Sequence, residues 1–201
     1  MLLDFAMLSS LERYKLFIGL VIPRPIALIS TRSENGVNNC APFSFFNVLS
    51  EDPPVVIVSF GPRGDGTPKH TIKNILRTGE FVVNLVDEAI ANGMHISADE
   101  IPESESEFDT AGFTPAPCVE VKHPRIAEAP ASFECRTLKH IELVPGRDFV
   151  FGEVRRLHVR DGLIDPQTKR VSDAYRPVGR LYANRYCTTR QRFSLPGRLP
   201  D

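Results

Sequence analysis

A chain of 201 residues with 24 basic and 25 acidic side chains carries a formal charge of −1, and 42% apolar with 24% charged residues is the composition of a globular domain. Near-neutrality removes any global drive toward nucleic acid or a membrane surface, and 13 phenylalanines exclude a chain too polar to build a core. One domain over 1–201 is expected, and 17 prolines favour turns and short strands over long helices.

Cys40, Cys118, Cys135 and Cys187 show no CxxC or Cys/His spacing that would hold zinc, so buried reduced thiols and no metal are expected. The longest apolar run, 16–22, falls far short of the ~20 residues that a membrane span needs. No basic n-region opens the chain, and a cytoplasmic protein is the natural expectation. Two local charge biases remain: 99–109 holds six acids and no base, and 170–198 holds seven arginines with Asp173 as the sole acid. Both read as solvated segments, although the arginines suit a phosphate-bearing ligand or a partner subunit.

In chain order, the run 26–31 reads as a strand, followed at Asn35-Gly36 by a tight hairpin turn with positive φ at both positions. The segment 37–50 is a strand, with Pro42 marking an edge or bulge. After the turn at 51–54, the run 55–60 is another strand. The Gly-rich stretch 61–69 then leads into a helix, with Thr67 as expected N-cap and Pro68 at the first helical position. Ile72, Ile75 and Leu76 share its predicted buried face, and Gly79 ends it. A strand at 80–86 and a short helix within 88–98 come next, and the acidic and Pro-rich segments up to 130 read as a surface excursion. Strands at 132–144 and 149–159 flank a turn at 145–148, and the remainder is turn-rich. Many short strands with two short helices suggest a small barrel, since closure removes exposed sheet edges.

The loop-to-helix junction is the best candidate for chemistry. A helix N-terminus offers unpaired N–H groups and partial positive charge, and Arg63, Lys69 and Thr71 add two cations and a hydroxyl suited to a phosphate. An ordinary capped helix after a flexible loop is the alternative. No Walker loop, GxSxG elbow, HExxH or EF-hand is present, and His158 on its strand reads as a satisfied core or rim histidine.

Several stretches occur together in order: PRPIALIST, APFSFFN, EDPPVVIVSF, GTPKHT, TGEFVVNLVDEAIA, AGFTPAPC, PRIAEAPASFECR, FGEV and RPVGRLYANRY. From about 13 to 196 the chain thus resembles the flavin reductase-like family of FMN-binding split barrels. The resemblance implies a mainly β, Greek-key split barrel with a few short helices, forming a homodimer that binds FMN near the subunit interface. It implies that Ser30 and Thr31 lie beside the flavin, that Ser44, Phe45, Phe46 and Asn47 line its ring and ribityl chain mostly through backbone groups, and that Ser59, Arg63, Lys69 and Thr71 hold its phosphate. The expected activity is NAD(P)H:flavin oxidoreduction, with NADH or NADPH as donor and a monooxygenase or other electron acceptor as partner. A non-enzymatic electron carrier resembling flavoredoxin is the alternative, and a split barrel for heme or a pyridoxine phosphate is a weaker third. The chain departs from the family pattern at His70, at His95 and at Gly146-Arg147-Asp148, where many relatives carry Asp, Asn and Gly-Asp-His. Arg24, Arg180 and Arg185 are candidate contacts for nicotinamide nucleotide phosphates on charge alone.

Overall fold

The computed structural model describes residues 1–197, so Arg198 of the basic stretch lies outside the described residues. A 3-10 turn at Phe5–Met7 and a helix, α1 (Ser10–Leu20), precede the first strand. The mixed pattern of this segment hides the helix, but its start is a capping box. Ser9 Oγ accepts the Glu12 N–H, and the Glu12 carboxylate accepts the Ser9 N–H. No residue of α1 is buried.

The strand β1 (Ala27–Arg32) pairs antiparallel with β2 (Asn38–Phe43) across a loop of residues 33–37. Only Gly36 takes positive φ there, at +83°. The two-residue turn expected at Asn35-Gly36 is therefore widened: the Ser33 N–H donates to the Val37 carbonyl and its hydroxyl accepts from the Val37 N–H. The predicted single strand over 37–50 is instead two, β2 and β3 (Phe46–Glu51), with β4 (Pro54–Phe60) beside β3. The helix α2 (His70–Thr78) leads to β5 (Glu80–Leu85). Two short helices follow, α3 (Ala91–Ile96) and α4 (Glu107–Ala111), then the two-residue strands β6 (Pro115–Ala116) and β7 (Arg125–Ile126). The long hairpin of β8 (Ala131–Val144) and β9 (Arg147–Val159) precedes the small pair β10 (Val178–Arg180) and β11 (Tyr186–Thr188).

Seven strands form one sheet in the order β2-β1-β5-β8-β9-β4-β3. Its two edges, β2 and β3, are consecutive in the chain and separated only by Ser44 and Phe45. Such a link spans about 10 Å at most, so the sheet must curl until its edges meet without a continuous hydrogen-bond ladder. That geometry is a split barrel. Inside it Ile29, Phe43, Val58, Phe60, Phe81 and Val150 pack together, with the Phe43 and Phe60 rings 4.6 Å apart. Gly152 belongs to this packing, because a Cβ there would lie 2.4 Å from Phe81 Cζ.

The strand β1 is buried on both faces. Ala27 and Ile29 face the barrel interior, whereas Ile26 and Leu28 meet a second core with Met94, Phe108, Phe113 and Ile126. This second core corrects the surface excursion expected for the acidic and Pro-rich segments: Phe108, Val121, His123 and Ile126 are buried. Acidic composition concealed one apolar helical face. In α2 the buried positions are Thr71, Ile72, Asn74 and Ile75, whereas Leu76, predicted to join them, is exposed. Gly79 closes α2 in the left-handed region, as its position in the sequence suggested.

His123 shows what that burial entails. Its Nε2 lies 3.0 Å from Thr78 Oγ1, Nδ1 has no partner among the described residues, and burial pulls the imidazole pKa from 6.5 to about 4. The unfolded chain takes up this proton first, so the stabilising contribution is complete above about pH 6.5 and is lost as pH falls toward 4. Urea titrations are expected to show unfolding free energy declining through that window by up to about 3 kcal/mol for this one group. A His123→Gln variant is expected to flatten the decline, and an unchanged slope would contradict the assignment.

Candidate functional site

The candidate residues fall into three neighbouring places. The first is a cradle between the loop 61–69, the start of α2 and residues 97–101. Within the loop, Thr67 donates both its N–H and its hydroxyl to Asp65 Oδ1. Thr67 is therefore not the cap; α2 begins at His70 after Lys69, with no side chain capping it. Its first N–H groups carry no side-chain cap, and the residues that open it, Lys69, His70 and Thr71, line a cleft together with Arg63. Thr71 is buried and accepts a hydrogen bond from Asn39 Nδ2 at 3.1 Å, which frees its own O–H to donate.

Arg63 Nη1 donates to His70 Nε2 at 2.8 Å. Burial first, and the Arg63 charge next, hold the His70 imidazole below its usual pKa and so favour the neutral acceptor form. The cradle also contains its own anion. Glu100 reaches Lys69 Nζ at 3.5 Å and Arg63 Nε at 3.8 Å, in a cleft of about 40 Å³. Sequence reasoning missed Asn39 and Glu100; Glu100 had a signal as a member of the six-acid run 99–109, whereas Asn39 had none.

The second place is an open groove of about 450 Å³ formed by Phe45, Phe46, Asn47, Ile57, Ser59 and Phe149, with Arg147 at its rim. Its lining is mostly apolar and includes Ile57 and Ser59 of β4. Four residues carry the chain from Ser59 in the groove to Arg63 in the cradle, so the two lie within about 14 Å along the backbone. Arg147 crosses the connecting turn, where its Nη1 lies 2.8 Å from the point a Gly61 Cβ would occupy.

The third place is a partly open pocket lined in part by Ser44, whose Oγ accepts from Arg24 Nε at 3.3 Å. Ser30 and Thr31 face none of the three. Ser30 Oγ donates to the Pro124 carbonyl at 2.6 Å and accepts from Asn84 Nδ2, and Thr31 Oγ1 accepts from Asn74 Nδ2. Both side chains are fully buried supports, with Thr31 bracing α2 from below.

Away from these places, the fold gathers Cys118, Glu134 and His158, whose ligand-type atoms lie within 4.8 Å of one another. Both Glu134 oxygens are already engaged: Oε1 by the Val119 N–H and His158 Nε2, Oε2 by the Glu120 and Val121 N–H groups. This is the hydrogen bonding of a buried carboxylate that pins a loop, and it gives His158 the satisfied role read from its strand.

The uncapped helix start, two cations and a free hydroxyl suit a phosphate monoester, and the apolar groove one backbone step away suits a planar ring. The sequence profile of the flavin reductase like domain matches residues 19–188. An uncharacterized protein of Aquifex aeolicus is 46% identical over 173 residues, which cover 86% of this chain and 88% of that one. The crystal structure of Pseudomonas fluorescens 2-nitrobenzoate 2-nitroreductase NbaA is similar with a TM-score of 0.88 at 37% identity, covering 100% of this chain and 99% of that one. Nitrilotriacetate monooxygenase component B from Bacillus cereus gives a TM-score of 0.91 at 31% identity, covering 97% and 98%.

Proposed function

Because the chain belongs to the flavin reductase like family, we propose that it is an NAD(P)H:flavin oxidoreductase that binds FMN in the cradle and groove. The observation that carries the reading is the uncapped α2 start at a cleft lined by Arg63, Lys69 and Thr71. In this reading the two cations neutralise a phosphate dianion, the first-turn N–H groups and the Thr71 hydroxyl donate to its oxygens, and Glu100 swings out to admit it. Phe45, Phe46, Asn47 and Ser59 line the groove that would take the ring and ribityl chain, partly through main-chain groups, with Ser59 there instead of at the phosphate, and Ser44 would meet the flavin from the neighbouring pocket. Ser30 and Thr31 hold the barrel wall and α2 in register behind them.

Bound FMN supplies an N5 that accepts a hydride from C4 of NADH or NADPH. What the protein contributes is orientation and exclusion of water, which needs no nucleophile, triad or paired carboxylates. The electrons delivered would serve a partner monooxygenase or another acceptor, a role supported by similarity to nitrilotriacetate monooxygenase component B. Two copies would form the working unit, since α1 leaves Leu11, Tyr14 and Leu20 exposed and a second copy would remove such apolar surface from water. Sedimentation at twice the chain mass is expected, and a monomer at micromolar concentration would contradict it.

The phosphate assignment is tested by comparing FMN with riboflavin, which lacks the phosphate. FMN is expected to bind at least about tenfold more tightly, the contribution of one charge-assisted contact. Equal affinities would overturn the cradle as the flavin phosphate site.

A further inference from the structure

The acidic run 99–109 contains one residue to which the proposed chemistry gives no role. Of its six acids, Asp99, Glu100, Glu103, Glu105 and Asp109 are exposed, whereas Glu107 is buried, at 6% exposure. The cause is local. Glu107 opens α4 beside Phe108, and α4 packs on β2 as Phe108 enters the second core. That docking brings the Glu107 carboxyl to β2, where Oε2 accepts the Cys40 N–H at 3.3 Å. Glu107 thereby joins Arg63, Lys69, His70 and Thr71 in lining the cradle.

Glu107 and Glu134 are both buried, but their surroundings differ. Glu134 receives four donors, three of them backbone N–H groups, which suit a carboxylate. Glu107 Oε2 receives one long bond, and no hydrogen bond reaches Oε1 among the described residues. The cations of the cleft do not compensate, because Arg63 and Lys69 are both drawn to Glu100. A buried charge with so few partners is costly, and a carboxyl so placed keeps its proton to higher pH. Burial accordingly raises the Glu107 pKa above its ordinary value, against the opposing effects of its own N–H, the Cys40 N–H and the Arg63 charge.

The consequence for a phosphate follows from the charges. Arg63 and Lys69 supply two positive charges to the cleft, and a phosphate monoester above pH 7 brings about two negative ones. With Glu100 displaced, these balance only if Glu107 is uncharged. An ionised Glu107 would set a third negative charge beside the dianion, whereas a protonated one offers an O–H donor. We propose that Glu107 and the bound phosphate share one proton, the carboxyl O–H donating to a phosphate oxygen, so that the cradle takes up FMN and a proton together. The proposal rests on the cradle being the flavin phosphate site. The proton comes from solvent, and no covalent bond of the phosphate forms or breaks.

The groups around Glu107 leave one rival carrier. His70 of α2 is held in its neutral form by burial and Arg63, and it too could take a proton when a dianion enters. The Cys40 thiol of β2 is pushed up by burial first and by Glu107 next, and it stays protonated. Arg63 and Lys69 are the cations of the cleft, and Asp99 and Glu100 reach it from the exposed segment 97–101. Glu103 pairs with Lys73 of α2, and Glu105 and Asp109 are exposed. His95 of α3 is turned to Tyr186 Oη at 3.2 Å.

The test is the affinity of the full chain for FMN and for riboflavin between pH 7 and 9, where the phosphate of free FMN is already a dianion. The bound form holds the shared proton to higher pH than the free protein does, so affinity for FMN falls as pH rises. A fall of at least about tenfold is expected across this range, with riboflavin changing by less than about twofold. Glu107→Gln keeps an oxygen for the Cys40 N–H and offers an amide N–H in place of the O–H. Its FMN affinity is expected to vary by less than about threefold, whereas His70→Gln keeps the full fall. A flat FMN affinity in the unaltered protein would overturn the proposal. An equal fall in Glu107→Gln, or its loss in His70→Gln, would do the same. Should Glu107→Gln fail to fold, the FMN-minus-riboflavin infrared difference of the unaltered protein at pH 8 decides. A protonated carboxyl band supports the shared proton, and its absence overturns it. Equal FMN and riboflavin affinities at pH 7 would remove the cradle as the phosphate site and this proposal with it. FMN preferred over riboflavin by a ratio that does not change with pH would leave the cradle standing and remove the shared proton alone.

Discussion

A protein carrying both Arg63→Ala and Lys69→Ala is expected to bind FMN about a hundredfold more weakly, with riboflavin affinity changed by less than about threefold. A hydrogen bond to a charged group contributes about 1.5–3 kcal/mol. Here each cation already shares Glu100, so only the difference between phosphate and carboxylate is gained. About 1.4 kcal/mol for each cation, or tenfold, is the reasonable magnitude. Glu100→Gln removes the internal competitor and is expected to shift affinity the other way, tightening FMN a few-fold without affecting riboflavin. Equal losses for both flavins in the double variant would mean that the cations act on the fold and not on the phosphate. Raising the salt concentration should narrow the FMN–riboflavin gap, since the cradle is partly open to solvent.

Glu134→Ala is expected to cost about 3–5 kcal/mol of stability, the loss typical of breaking a buried charged network by removing one partner. The carboxylate is fully buried, and its removal strands the Val119, Glu120 and Val121 N–H groups together with His158. Burial opposes its ionisation, but the bonds from the backbone and His158 outweigh burial and hold its pKa below the ordinary glutamate value. The contribution is therefore complete above the ordinary pKa of about 4.3 and disappears as pH falls through the lower folded value. In a chain of this size the loss corresponds to a fall in Tm of roughly 10 °C. Glu134→Gln keeps one accepting oxygen and is expected to lose less. A change below about 1 kcal/mol on alanine substitution would contradict the pinning role.

The sequence made the barrel legible because its signals were local and mutually consistent. The runs at 26–31, 55–60 and 80–86 are apolar and β-branched, and each lies in a strand, β1, β4 or β5. The hidden parts depended on tertiary context. The strand break at Ser44-Phe45 was only half announced, by Pro42, which read as a bulge, because closure of the barrel makes the break. Phe108 sits inside an acidic run, and its burial is decided by β1 and α3, far from it in the chain. Thr67 looked like a cap because the competing acceptor Asp65 is only two residues away and takes both its donors.

The candidate site was legible in the same uneven way. Arg63, Lys69 and Thr71 lie together because one loop and one helix carry them, so their proximity is nearly covalent. The pairing of Arg24 with Arg180 spans most of the chain and follows from the small sheet at the C-terminal end, which no local pattern announced. Ser30 and Thr31 share the strand that passes under the cradle, but alternation along β1 cannot indicate which partners buried hydroxyls will find.

The most direct test is the visible spectrum of the FMN-loaded protein under anaerobic conditions, before and after NADH or NADPH is added. The account predicts that the oxidised flavin bands bleach on mixing with at least one nucleotide, the faster one being the donor. Flavin that binds and bleaches with dithionite, yet stays oxidised with both nucleotides, would contradict the oxidoreductase reading and indicate a carrier reduced by another protein.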